Sequence, residues 1–354
     1  MKHRLAIFLV AALAVNTWAW AQKAPKKATS TASQPAGAAY ATREDAMLFA
    51  DDLAERRNLS REWVRQAIGQ ANFIPSVQRL MRPATTTFVK NWRVYRSRFI
   101  DPVRIQAGVR FWRANADTLA RAEQEFGVPA EIIVGIIGVE TIYGRDMGTF
   151  RVVDALATLA FDFPKTEKRD RTQFFKDELE QVLSLADRTN IDPLSLRGSY
   201  AGAMGLGQFM PSSWVKYAID FDGDGKVDLF NSQADAIGSV ANYFKNFNWK
   251  PGLPTHYSVS FDRARLDKDA LLAPDILPTF SADRFTELGA VLPASAQNHP
   301  GPLALVELLN GSDGAPQYIA GTENFYAITR YNWSSYYAMS VIDLGAEIKA
   351  VVGR

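Results

Sequence analysis

The run EIIVGIIGVE, residues 131–140, does most to limit what this chain can become. Between its two glutamates every residue is apolar or glycine, so a helix here has no wet face and belongs inside. Pro129 stands where a first helical residue is favoured and Glu131 falls in the first turn. Together they predict a helix running through Glu140 towards Gly144. Three, four and seven positions back from Glu140, on the same helix face, stand Ile137, Ile136 and Ile133. The sequence therefore sets one ionisable group at the end of an isoleucine stripe.

Composition narrows what that carboxylate can be for. The chain has no Cys, and after the first residues only His256 and His299 remain, each near prolines. Thiolate and Ser-His-Asp chemistry and His-based zinc sites are thereby disfavoured, which leaves carboxylates for acid–base work. A carboxyl on an apolar face loses hydration, and this raises its pKa. A carboxylic acid kept protonated near neutral pH can protonate a glycosidic oxygen. The alternative is a structural glutamate paired with Arg145 or Arg151. Asp146, Asp154 and Asp162 are the nearby candidates for a second acid, and none stands out. Asp154 opens DALATLAF as an N-cap would, and Asp146 lies in a Gly-rich turn.

Residues 1–21 read as a secretory signal peptide: a basic start at Lys2, His3 and Arg4, the apolar run LAIFLVAALAV, then Ala19-Trp20-Ala21. Without Cys there is no lipoprotein processing site, so a soluble periplasmic protein without a transmembrane anchor is expected. Cleavage removes Lys2 and Arg4 but no acid, and the mature chain is formally neutral. A nucleic-acid partner is not expected of such a balance.

Residues 22–40 are rich in Ala, Pro, Ser, Thr and Lys and read as a flexible linker. Apolar residues at three- and four-residue steps predict a helical N-terminal subdomain over 41–126 and a core over 127–250, with helices near 153–161, 172–186 and 234–247. Residues 251–321 lose helical period and read as a small β-containing insertion. Its strand-like runs are 303–309 and 317–320, followed by a third at 325–329. The 322–354 segment returns to the core, with a helix from Ser335 to Val352 that puts Tyr337, Val341, Leu344 and Ile348 on one side. The expected fold class is mainly α with a small β subdomain.

Two motifs remain. In SYAGAMGLGQFM, residues 199–210, glycines let backbone approach backbone or a ligand closely and Gln208 can both donate and accept, although helix packing would also explain the small residues. Asp220-Phe-Asp222-Gly-Asp224-Gly225 has the opening of an EF-hand loop, with the Lys226 carbonyl at the seventh position. The twelfth position is Asn231, where a bidentate Glu is expected, and whether Asp228 contributes is open. A structural calcium ion is predicted.

GVETIYGRDMGTFRVVDALATLAFDFP, SYAGAMGLGQFMPSSW, DFDGDGKVDLFNSQADAIGSVANYF and FYAITRYNWSSYYAMSVIDLG together resemble the lytic murein transglycosylase B family. The resemblance covers roughly residues 45–352 with the motifs in the family's order. It implies a lysozyme-like α+β core and cleavage of the β-1,4 bond between N-acetylmuramic acid and N-acetylglucosamine in peptidoglycan. One glutamate, matching Glu140, would act as acid and then as base on the C6 hydroxyl, leaving a 1,6-anhydro product. Ser199, Met204, Gln208, Tyr243, Tyr331, Asn332 and Tyr337 match its substrate groove, and Asp235 matches the closing calcium ligand. Peptidoglycan strands, and possible wall-synthesis proteins, are the implied partners. The family's basic peptide-binding stretch has no residue-by-residue match in KTEKRDRTQFF, where Lys165, Lys168, Arg169 and Arg171 supply charge. A hydrolytic muramidase assisted by Asp146 or Asp162, or a noncatalytic calcium-binding wall protein, is the alternative.

Overall fold

The apolar run forms a helix, Ala130–Thr141, that is buried on every side and not along a single stripe: all residues from Ile132 to Val139 are buried. A computed structural model describes residues 39–82, 89–164 and 170–353. The signal peptide, most of the linker, and Lys165, Lys168 and Arg169 lie outside them. Tyr40, at the linker's expected end, is fully buried, and its hydroxyl donates to Asp162 Oδ2 at 2.6 Å.

Among the described residues, six α-helices precede the buried one: α1 (Glu44–Arg57), α2 (Arg61–Gly69), α3 (Pro75–Leu80), α4 (Trp92–Arg96), α5 (Pro102–Ala114) and α6 (Ala116–Phe126). Their starts follow local chemistry. Ser60 caps α2 by accepting from Trp63 N at 3.3 Å, and Asp101 caps α5 ahead of Pro102, accepting from Val103 N and Arg104 N. The core then runs α7 (Ala130–Thr141), α8 (Val152–Phe161), α9 (Thr172–Thr189), α10 (Pro211–Tyr217) and α11 (Gln233–Asn246). Strands β1 (Phe150–Arg151) and β2 (Arg197–Gly198) form a short antiparallel pair within it.

Asp154 lies inside the first turn of α8, not at its N-cap, which is Arg151. Its Oδ1 accepts from Asn72 N at 3.0 Å and pairs with Arg151 at 2.6 Å. Asp162 binds Arg43 at 2.8 Å. Both acids thus tie the N-terminal helices to the core.

The insertion carries β3 (His256–Ser258), β4 (Ser260–Phe261), β5 (Ala290–Val291), β6 (Ala304–Asn310) and β7 (Gly314–Gly321), with short helices α12 (Lys268–Leu272), α13 (Ala282–Glu287) and α14 (Ala294–Gln297). The larger sheet is antiparallel in the order β3-β7-β6, with Val306 opposite Ile319. Leu271, Phe285, Leu303 and Leu305 form a second small core beneath it. Residues 325–329, expected as strand, are helical instead, within α15 (Glu323–Tyr331). Aromatic and β-branched residues suit either structure, and the cap decides: Thr322 Oγ1 accepts from Asn324 N at 3.1 Å.

The last helix, α16 (Ser335–Val352), lies against α7 with backbone nearly touching backbone. A Cβ added to Gly135 would fall 2.3 Å from the Val341 carbonyl oxygen, and one on Gly345 would fall 2.1 Å from that of Glu131. Glycines on both helices are therefore required. Replacing Gly345 with Ala should cost about 1–3 kcal/mol and lower the melting temperature by several degrees in calorimetry. An unchanged transition would contradict this packing.

Candidate active site

Glu140 is the penultimate residue of α7 and is only partly covered. Beyond Thr141 the chain reverses through two left-handed residues, Ile142 (φ 51°) and Tyr143 (φ 57°). This conformation costs roughly 1–3 kcal/mol per residue outside glycine, and most for a β-branched one. Thr141, fully buried, fastens the reversal. Its Oγ1 donates to the Leu206 carbonyl at 2.8 Å and accepts from Gly144 N at 3.0 Å. Nothing in the helical period singles this residue out.

Across from the reversal, Ser334 caps α16 by accepting from Tyr337 N. That start aims the fully buried Tyr337 ring at α7, and its hydroxyl donates to Glu140 Oε1 at 2.5 Å. Burial pushes the Glu140 carboxyl up to about 7, and the Tyr337 hydrogen bond, which favours the charged form, opposes it. Among the described residues no ion pair includes Glu140, and Arg151 is engaged by Asp154. The paired structural glutamate allowed by the sequence is not formed.

The glycine-rich stretch wraps this end of α7. Gln208 adopts φ 51°, and its Nε2 donates to the carbonyls of Gly205 at 3.0 Å and Met147 at 3.2 Å, linking two loops beside Glu140. The Tyr331 hydroxyl donates to Gly207 O at 2.5 Å, and a Cβ on Gly207 would fall 2.9 Å from that hydroxyl. Tyr243 is buried against Phe209, Phe247 and Tyr331, donating to Arg330 O at 2.7 Å. Ser199 is buried, and its Oγ accepts from Ala203 N at 3.0 Å. Asn332 is buried just past the end of α15.

Met204 departs from its expected role. It is fully buried and pairs its backbone with Phe209 in both directions at 2.9 Å, so its side chain offers no surface to a ligand. Ser199, Met204 and Tyr243 thus build the walls from behind, while Glu140, Tyr331 and Tyr337 converge. Burial, with the Glu140 charge nearby, holds both tyrosine hydroxyls in their protonated form.

In the acidic loop, Asp220, Asp222 and Asp235 each bring a carboxylate oxygen within 4.8 Å of the others. Asp220 folds the loop by accepting from Gly223 N at 2.7 Å and Gly225 N at 2.8 Å. Asp235 is almost fully buried at the start of α11, and burial raises its pKa. Asp224 lies outside that trio, with Oδ1 accepting from Lys226 N at 2.8 Å. Asp228 closes its own turn: Oδ1 accepts from Phe230 N and Asn231 N, and Oδ2 from Asn231 Nδ2.

The Transglycosylase SLT domain family matches residues 41–346. Membrane-bound lytic murein transglycosylase B of Escherichia coli (strain K12) is 42% identical over 328 residues, covering 88% of this chain and 84% of its own. The chain belongs to the lytic murein transglycosylase B family. Soluble lytic transglycosylase SltB1 from Pseudomonas aeruginosa is similar in structure, with TM-score 0.78 and 41% identity over 88% of this chain and all of that one. Lytic transglycosylase SLT35 of Escherichia coli, solved in complex with calcium, has TM-score 0.78 and 39% identity over 90% of this chain and 97% of its own.

As a lytic transglycosylase acting on peptidoglycan, this enzyme carries an ionisable group that works against its stability. A folded-state pKa near 7 lies above the ordinary carboxylate value, so the associated stability is present at low pH and lost as pH rises through 7. Glu140→Gln should therefore be more stable than wild type, by a margin that grows by about 2 kcal/mol between pH 5 and pH 8 in urea titrations. A margin independent of pH would contradict the burial. Tyr337→Phe removes the bond that favours the charged form. The pH at which activity falls on the alkaline side should then move upward in kcat/KM profiles.

Proposed function

We propose that the enzyme cleaves the bond between N-acetylmuramic acid and N-acetylglucosamine with Glu140 acting twice. The protonated carboxyl donates to the glycosidic oxygen as the C1–O bond breaks, and the N-acetylglucosamine end leaves as an alcohol. The substrate's own 2-acetamido oxygen covers C1 meanwhile. The Glu140 carboxylate then takes the C6 hydroxyl proton as O6 closes on C1, which restores the acid and leaves a 1,6-anhydro ring. A pKa near 7 suits a group that must give and then take one proton near neutrality.

The observation that carries this reading is that, among the described residues, no other acid bears on Glu140. Its pKa responds to burial and to Tyr337, with no neighbouring carboxylate contributing. Asp162 is committed to Arg43 and Tyr40. A glycosidase using a protein nucleophile would place a second carboxyl about 5 Å away. Tyr331, Gln208 and Asn332 line the groove beside the reacting bond, with Ser199 and Tyr243 supporting it. A signal peptide would deliver the enzyme to the periplasm, and no helix among the described residues is long and apolar enough to cross a membrane.

Mass spectrometry of digested glycan strands tests the chemistry. The expected products carry anhydromuramoyl ends, one water lighter than hydrolysis products, and Glu140→Gln should lose at least a thousandfold in kcat. Products bearing the added water would establish a muramidase instead.

The acidic loop suits calcium. Three converging carboxylates, one of them buried, need a cation for balance, and hard oxygen donors favour calcium. Asp220, Asp222 and Asp235 would hold it, with Asp224 and the Lys226 carbonyl completing the set, and the ion would brace α11 against the loop. Chelation should lower the melting temperature and added calcium restore it. Asp235→Asn should abolish that dependence, and a chelator-insensitive transition would remove calcium from this reading.

A further inference from the structure

Three residues beyond Glu140, Tyr143 turns back beneath the helix that carries the carboxylate. It occupies a slot made by missing side chains. A Cβ on Gly138 would fall 2.3 Å from the Tyr143 hydroxyl oxygen, and one on Gly108, in α5, would fall 2.5 Å from it. The ring packs against Phe111 with centroids 5.0 Å apart. Tyr143 N reaches the Ile137 carbonyl at 3.4 Å, and Arg104 braces the same helix end with Nε donating to Gly138 O at 3.0 Å.

The phenol is oddly chosen for this place. Its hydroxyl is buried without a hydrogen-bond partner, which works against stability, and its backbone is left-handed, as is that of Ile142 before it. Strained, unsatisfied residues persist where the surroundings hold them, and they cluster at functional sites. This one stands between two parts of the site. On one side is the end of α7 with Glu140, and on the other the loop whose Met147 carbonyl accepts from Gln208.

We propose that Tyr143 is a positioning residue for the transglycosylase reaction: seated in the Gly108–Gly138 slot, it locks the reversal that aims the Glu140 carboxylate. It acts through Glu140 and touches no substrate, so the proposal rests on Glu140 being the acid–base group. The hydroxyl contributes shape and no chemistry.

The test is steady-state cleavage of a defined glycan by purified variants, with kcat and KM separated and melting temperatures measured. Tyr143→Phe should keep kcat within twofold of wild type and melt at the same temperature or higher. Gly108→Ala crowds the Tyr143 hydroxyl and the Ile348 side chain from one side and should lower kcat at least tenfold with KM within threefold. Should Gly108→Ala fail to fold, Tyr143→Ala is judged by the same split, with the same loss expected.

The positioning role is overturned if a folded Gly108→Ala or Tyr143→Ala keeps wild-type kcat, because a merely structural residue would move only the melting temperature. It is equally overturned if Tyr143→Phe loses tenfold. Glu140→Gln run alongside separates the two claims. Cleavage surviving in that variant removes Glu140 from its role and the proposal with it. Lost cleavage there, together with an unaffected Tyr143→Ala, removes only the positioning role.

Discussion

The contact between α7 and α16 sets the conditions for everything around it. Gly135 and Gly345 bring the two helices close enough that neither tolerates a Cβ at those points. The C-terminal helix is thereby held where Tyr337 reaches Glu140. At a wider helix separation, of the kind leucine side chains impose, the tyrosine would fall short and more water would reach the carboxyl. Close packing thus does two chemical tasks at once: it withdraws part of the glutamate from water and supplies the one donor that keeps its pKa from rising further.

Much of this could be read along the chain, and the parts that could not are the contacts between distant segments. The α7 run and the α16 period are visible because burial writes itself into local pattern. The α7 run has no polar face between its glutamates, and the helix is buried all round, as that composition suggests. Its glycines resemble gaps in the pattern until the partner helix is known. The 325–329 stretch reads as strand by composition, and a single threonine cap turns it into helix. Glu140 and Tyr337 stand 197 residues apart, so no local signal joins them, and family resemblance alone named the tyrosine. Met204 shows the converse: resemblance placed it in the groove, while its own apolar side chain packs inward.

The residues that sequence reasoning passed over share one property. Thr141, Ile142 and Tyr143 act through backbone geometry, a hydroxyl to a carbonyl and two left-handed conformations, and none of these follows a period. Fine placement of the carboxylate depends on them, because a helix end is where backbone order ordinarily frays. The Thr141 hydroxyl fastens it to the Leu206 carbonyl and so ties the helix end to the glycine-rich loop.

A single-carboxylate site has a physical logic that this arrangement makes visible. A second acid a few ångströms away would couple to the first, and each would shift the other's titration. The proton that leaves at bond cleavage and returns at ring closure would then be shared between them. Here burial sets the proton affinity of Glu140 and one hydroxyl trims it, with no other carboxylate contributing, while Asp162 is spent on Arg43 and Asp154 on Arg151. The carboxyl is left with a pKa that belongs to it and not to a pair. That independence is what the proposed role asks of the group, as donor in one half of the reaction and acceptor in the other.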